Sequence, residues 1–161
     1  MRKPKIYLET SVISHLQADD RPDRMAETLR LWSKVAASEY EVVIGSPVLD
    51  EIRDCGEPKR SFLEGKLRTI KYEHCGVDDE TERIANEYIG EGGLKRKSET
   101  DATHLAIASL ANCDYAVSWN CRHIVNAKAM RAVDTVNTRE GLKLTKIITP
   151  DILLGGDDDG I

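Results

Sequence analysis

The sequence lacks any long apolar run: no stretch of its 161 residues approaches the roughly 20 apolar residues that a membrane-spanning helix requires. The basic start, MRKPKIYLE, is not followed by an apolar segment of signal-peptide length, so the expected location is the cytoplasm and a membrane is not an expected partner. Cysteine is present without a pattern. Cys55, Cys75, Cys113 and Cys121 form neither a C-x-x-C pair nor a zinc spacing, which leaves free thiols of a reducing compartment and no metal or redox role. An excess of basic charge is also missing. With a net charge of -5 and a pI of about 5.4, the chain cannot coat nucleic acid through bulk positive charge, although local basic patches remain open. Internal repeats are absent, and the only low-complexity stretch is the acidic DDDGI terminus.

What the chain does have is an alternation of short apolar strands with amphipathic helices. At 40% hydrophobic and 32% charged residues, its length suits a single core, expected over 1–154, with 155–161 as a disordered acidic tail. Lys5-Ile6-Tyr7-Leu8-Glu9 reads as a first strand, closed by Thr10 and Ser11, whose hydroxyls can cap the following turn. Apolar residues recurring at three and four over 23–38, Trp32 among them, predict a helix begun after Pro22. Glu41-Val42-Val43-Ile44 is a second strand, and Ser46 with Pro47 starts a helix that carries Glu51. A short helix over 59–66, a strand or extended connection over 69–74, and a helix over 80–89 follow; the last ends at Gly90-Glu91-Gly92-Gly93.

The stretch 98–126 organises the rest. Ser98 with Asp101 has the spacing of a capping box, and 102–111 is a strongly helix-forming run whose apolar residues cover most of its circumference, as in a buried helix. Tyr115-Ala116-Val117-Ser118-Trp119 then reads as an interior parallel strand ending at Asn120. A helix over 123–136 and an edge strand at Lys146-Ile147-Ile148-Thr149 complete the pattern. Strands and helices in this order imply a three-layer α/β/α fold with a mainly parallel central sheet, its site at the C-terminal ends of the strands.

Glu9, Glu51, Asp101 and Asn120 all fall at that edge. Taken alone, an Asp near a helix start does no more than complement the helix dipole, and the chain carries 28 acidic residues. Three carboxylates gathered at one edge are different, because mutual repulsion and desolvation would protonate them unless a cation lay among them. Hard oxygen donors, with no histidine or cysteine assigned among them, favour Mg²⁺ or Mn²⁺ over zinc, and such ions serve phosphodiester hydrolysis by orienting the phosphate and activating water.

The motifs Tyr7-Leu8-Glu9-Thr10-Ser11-Val12-Ile13-Ser14, Val48-Leu49-Asp50-Glu51-Ile52, Asp101-Ala102-Thr103-His104 and Ser118-Trp119-Asn120 resemble, in order, those of the PIN-domain family, over nearly the whole chain. That resemblance implies a PIN-like fold and a metal-dependent endoribonuclease with Mg²⁺ or Mn²⁺ as cofactor and RNA as substrate. The family includes the VapC-like toxins of toxin-antitoxin pairs, which brings in an antitoxin protein as partner and a homodimer. Carried over by position, Glu9, Glu51 and Asp101 are the metal-holding acids and Asn120 occupies the fourth acidic position. Thr10, Ser11 and Ser118 match hydroxyl residues that hold water or orient the carboxylates. Two positions depart from the family pattern: Glu9 stands where Asp is usual, one methylene longer, and Asn120 is neutral. These departures motivate the alternative of a catalytically weak or inactive PIN-like module that binds RNA or a protein partner. A phosphatase of the aspartyl-phosphate type ranks last, since Glu9-Thr10-Ser11 supplies no nucleophilic Asp.

Lys95, Arg96, Lys97 and Arg122, with His123, Lys128 and Arg131, flank the expected cleft and are candidates for contact with an RNA backbone, with a solvated face as the competing reading. His104, one turn beyond Asp101, reads as a core or helix-surface histidine outside the catalytic set, and Trp32 and Trp119 read as packing residues rather than base-stacking platforms.

Overall fold

In the computed structural model, which describes residues 2–157, the strands assemble into one five-stranded sheet of order β3-β2-β1-β4-β5, parallel throughout. The strands are β1 (Lys5–Leu8), β2 (Glu41–Gly45), β3 (Glu73–Cys75), β4 (Tyr115–Val117) and β5 (Lys146–Ile148). Among the described residues eight α-helices complete a three-layer α/β/α, PIN-like architecture: α1 (Thr10–Ser14), α2 (Pro22–Ala36), α3 (Ser46–Arg53), α4 (Lys59–Leu67), α5 (Asp79–Gly90), α6 (Glu99–Leu110), α7 (Ala127–Glu140) and α8 (Pro150–Asp157). The expected fold class is what the chain adopts.

β1 lies at the centre because it is apolar on both faces: Ile6, Tyr7 and Leu8 are all fully buried, as a strand covered by helices on both sides requires. Its neighbours are in register at Tyr7↔Val43 and Tyr7↔Ala116, so Tyr7 sits in the middle of the core. α6 follows the same logic, with Ala102, Leu105, Ala106, Ile107 and Ala108 buried around its circumference. It packs against α5, β2 and β4. The polar groups that this burial takes from water are matched. Tyr88 Oη donates to Asn137 Oδ1 at 2.7 Å and bonds Ser109 Oγ at 2.9 Å, while Asn137 Nδ2 donates to Lys143 O, so one buried network ties α5, α6 and α7.

Several boundaries differ from the sequence expectations, each for a local reason. Ser98 makes no side-chain cap; a 3₁₀ turn at Arg96–Ser98 runs straight into α6, which starts at Glu99, so Asp101 lies inside the first turn. Ser46 is the first helical residue of α3 instead of its cap, and its hydroxyl bonds His74 Nε2 at 3.0 Å. The helix expected over 123–136 begins at Ala127, because Asn126 caps it by accepting from Ala129 N at 2.9 Å while Ile124 is buried in the preceding loop. Between residues 69 and 75 only Glu73–Cys75 pair as a strand, at the sheet's edge. Pro150 opens a helix, α8, with Leu153 and Leu154 buried and α2 as its neighbour. That helix extends through Asp157 into the segment expected as a tail, and the remainder of the tail lies outside the described residues.

The sheet is pinned at the N-terminal ends of its strands by Asp114, just before β4. Its carboxylate accepts two bonds from Arg2 at 3.0 Å, one from Lys5 N at 2.8 Å, and pairs with Lys143 Nζ at 2.7 Å. Hydrogen bonding from Arg2, and then from Lys143 and Lys5 N, outweighs burial and holds this carboxyl well below the usual Asp range. Folding therefore lowers its pKa, so its contribution is complete above the ordinary Asp range and is lost as pH falls through the depressed folded value. Asp114→Ala is expected to lower stability by roughly 2 kcal/mol at neutral pH. In urea unfolding followed by circular dichroism, the difference from wild type should shrink as the pH is lowered.

Candidate active site

The C-terminal edge of β1 begins the site. Glu9 is the N-cap residue of α1, and its carboxylate turns into the protein with 6% of the residue exposed. Burying it requires donors, which two hydroxyls provide: Ser11 Oγ donates to Glu9 Oε1 at 2.5 Å and Ser118 Oγ to the same oxygen at 2.6 Å. The hydroxyls are themselves held, Ser11 Oγ accepting from Trp119 N and Ser118 Oγ from Asn120 N, both at 2.9 Å. Thr10 and Ser11 thus begin α1, and their side chains serve Glu51 and Glu9 rather than capping a turn.

Glu51, in the second turn of α3, is approached from two sides. Thr10 Oγ1 donates to its Oε1 at 3.0 Å and His104 Nε2 lies 2.8 Å from the same atom. Burial acts to raise the Glu51 pKa, but hydrogen bonds from His104 and then Thr10 overcome it, and the carboxyl lies below its ordinary value. Asp101, in the first turn of α6, is treated differently. Among the described residues its side chain has no hydrogen bond or ion pair, and burial first, then the charge of Glu9 and, more weakly, that of Glu51, raise its pKa against the opposing influence of His104 and His123.

Of the four positions expected at the edge, the three acids are thus close enough to act on one another, while Asn120 has a structural task. Its Oδ1 accepts from His123 N at 3.1 Å, closing the turn after β4. Asp50, next to Glu51 in sequence, points away and pairs with Arg53 at 2.6 Å. The expectation of a site without neighbouring histidine is corrected: His104 touches Glu51. His104 is a core residue, as expected, at 1% exposure, yet it is also bonded to an acid of the edge. A signal for this was present, since Asp101 and His104 stand three apart on one helix and therefore share a face. Trp32 and Trp119 are buried, their Nε1 atoms donating to Thr69 Oγ1 at 3.2 Å and Thr28 Oγ1 at 2.9 Å.

The donors fit a hard divalent cation in charge and kind. Glu9 Oε2, Glu51 Oε2 and the Asp101 carboxylate have no protein hydrogen bond among the described residues, and Asp101 carries an uncompensated, partly buried charge. The arrangement is open, however. Among the described residues no three acidic, histidine or cysteine side chains lie close enough together to hold one ion as they stand.

Beside this edge lies a cavity of about 650 Å³ whose wall includes Lys95, Lys97, Ser98, Arg122, His123 and Lys128. Its shape depends on Gly93, where a Cβ would come within 2.7 Å of Lys128 O, so the loop before α6 can lie directly on α7. Arg2, Arg53, Arg60, Arg83 and Arg139 all pair with carboxylates, whereas Lys95, Lys97, Arg122 and Lys128 form no ion pair among the described residues. Arg96 turns away from the cavity and bonds Asn86 Oδ1. A second cavity of about 370 Å³ is acidic, lined by Glu51 itself with Asp50, Asp54, Glu82 and Glu99.

No model of a known protein family matches the chain, and no curated sequence does. Solved structures do. VapC20 of Mycobacterium tuberculosis, a toxin that cleaves the sarcin-ricin loop, superposes with a TM-score of 0.56 at 22% identity, over 73% of this chain and 91% of that one. VapBC2 of Rickettsia felis, bound to a DNA fragment from its promoter, gives a TM-score of 0.53 at 15% identity, over 90% of this chain and 98% of that one. The chain therefore has the PIN-like fold of the VapC proteins.

Because folding raises the Asp101 pKa, the residue opposes folding once pH rises through the ordinary Asp range towards that raised value, and it is neutral in both states well below that range. Asp101→Asn should accordingly raise the melting temperature of the metal-free protein by a few degrees at pH 7. Scanning calorimetry should show the gap closing towards acid pH.

Proposed function

We propose that this protein is a cytoplasmic, metal-dependent endoribonuclease that hydrolyses RNA phosphodiester bonds, and that it is the toxin of a toxin-antitoxin pair with an antitoxin protein as partner. The observation that carries the reading is the placement of Glu9, Glu51 and Asp101, from three separate elements, along one edge of the sheet, with Asp101 left without a hydrogen bond or ion pair among the described residues. The PIN-like fold shared with VapC structures supports the class of reaction. Second copies of the chain are a further proposed partner, with Leu29 an exposed apolar residue on α2. No helix among the described residues is long and apolar enough to cross a membrane.

In this reading Glu9, Glu51 and Asp101 hold Mg²⁺ or Mn²⁺, which supplies charge neutralisation at the phosphate and acidification of the attacking water. Ser11 and Ser118 keep Glu9 aimed by occupying one of its oxygens, and Thr10 does the same for Glu51. Asn120 shapes the rim by holding the turn to His123. Lys95, Lys97 and Arg122, with Lys128, receive the RNA backbone along the 650 Å³ cavity, because the 370 Å³ cavity on the other side would repel it. Arg96, committed to Asn86, contributes least of the basic run.

A second reading is a PIN-like module that binds RNA or a protein without cutting. It is favoured by the open spacing of the acids, no three of which meet among the described residues. Calorimetric titration of Mn²⁺ into metal-free protein separates the two. The nuclease reading expects binding in wild type that Asp101→Asn abolishes, with RNA cleavage reduced roughly a hundredfold or more in that variant. Absence of binding in wild type would leave the non-catalytic module. In either case, replacing Lys95, Lys97 and Arg122 by Ala should weaken single-stranded RNA binding. The plot of log affinity against log salt should flatten by about 2, at ~0.7 for each phosphate no longer neutralised.

A further inference from the structure

The hydrogen bonds around His104 have a defined direction. Both ring nitrogens are engaged, Nδ1 with Tyr7 Oη at 2.6 Å and Nε2 with Glu51 Oε1 at 2.8 Å. An ionised carboxylate only accepts, so Nε2 carries the hydrogen. A neutral imidazole has one N–H, so Nδ1 accepts and Tyr7 donates. Tyr7 is suited to that task, since it is fully buried and its hydroxyl has His104 Nδ1 as its one hydrogen-bond partner among the described residues. A hydrogen on Nδ1 would instead face the Tyr7 hydroxyl donor to donor, or leave that buried hydroxyl without an acceptor.

The sequence makes room for this chain of bonds at Gly45, the last residue of β2. A Cβ there would stand 2.6 Å from Tyr7 Oη and 2.8 Å from Ile107 Cδ1, closer than a real side chain comes. The phenol can reach His104 only because that position is bare. At the other end, Oε1 of Glu51 receives both His104 and Thr10, and Oε2 receives no protein donor among the described residues.

We propose that His104 is a positioning residue: held by Tyr7 as the Nε2–H tautomer, it fixes the Glu51 carboxylate so that Oε2 is the oxygen offered to a divalent cation. The inference rests on the reading of Glu51 as a metal-holding acid. Tyr7, His104 and Glu51 then form one relay of orientation from the centre of the sheet to the edge.

Two measurements on the full chain test it. Long-range ¹H–¹⁵N correlation spectra at neutral pH should show His104 with its hydrogen on Nε2 in wild type and a mixture of tautomers in Tyr7→Phe. A hydrogen on Nδ1 in wild type, or an unchanged single tautomer in Tyr7→Phe, overturns the proposal. Calorimetry with Mn²⁺ then compares His104→Gln, which keeps a donor near the position of Nε2, with His104→Leu, which keeps only bulk. The Leu variant should bind Mn²⁺ roughly 10- to 100-fold more weakly than wild type and the Gln variant should recover most of that loss. Tyr7→Phe, the least disruptive change, should be weakened in the same direction while its circular dichroism stays that of wild type. Wild-type affinity in both His104→Leu and Tyr7→Phe would overturn the positioning role and leave the nuclease reading intact. Failure of wild type itself to bind Mn²⁺ would remove both.

Discussion

A carboxylate held almost out of water at the end of the central strand is the constraint on which the rest of the site depends. Glu9 cannot be buried as an ion without donors, and the two that it has, Ser11 and Ser118, come from α1 and from the end of β4. Meeting that need joins two crossings of the chain 107 residues apart in sequence through a Ser11–Ser118 contact of 3.4 Å. The ends of β1 and β4 are thereby fixed side by side, continuing the register Leu8↔Val117. Both hydroxyls converge on Oε1 of Glu9.

The three acids of the edge are handled in three ways, and the differences have chemical meaning. Glu9 is buried and bonded to hydroxyls, Glu51 is half-exposed and bonded to a hydroxyl and an imidazole, and Asp101 is left without a partner among the described residues. A fold selected for stability alone would give Asp101 a counter-charge, since basic side chains are present within the same region. Here those side chains face a cavity instead, while Arg2, Arg53, Arg60, Arg83 and Arg139 elsewhere pair with carboxylates. A repelling cluster beside cations that form no ion pair among the described residues places negative and positive fields next to each other.

Packing and polarity also cooperate in the layer beneath. Gly45 and Gly93 are both positions where one element lies against another without a side chain between them, the first letting Tyr7 reach across β2 and the second letting the loop before α6 rest on α7. The first contact sets the orientation of an acid, the second the wall of the basic cavity. Neither glycine acts on a ligand directly.

The alternation of strands and helices, the central apolar strand at Tyr7, the buried character of α6 and the placement of Glu9, Glu51 and Asp101 at one edge were legible in the sequence, because period, capping and chain order are local properties. The edge strand Glu73–Cys75 was indistinct, since a strand paired on one side and left exposed has no apolar pattern to display. The start of α7 was misplaced because Ile124, apolar enough to read as helix, is buried by the core while still in a loop. Which acid receives which partner, that His104 bridges Tyr7 to Glu51, that Arg96 leaves the basic wall, and that Asn120 closes a turn are decisions of the tertiary structure alone. The physical reason is that hydrogen bonds and desolvation act over a few ångströms between residues far apart in the chain, and sequence spacing holds no record of those distances.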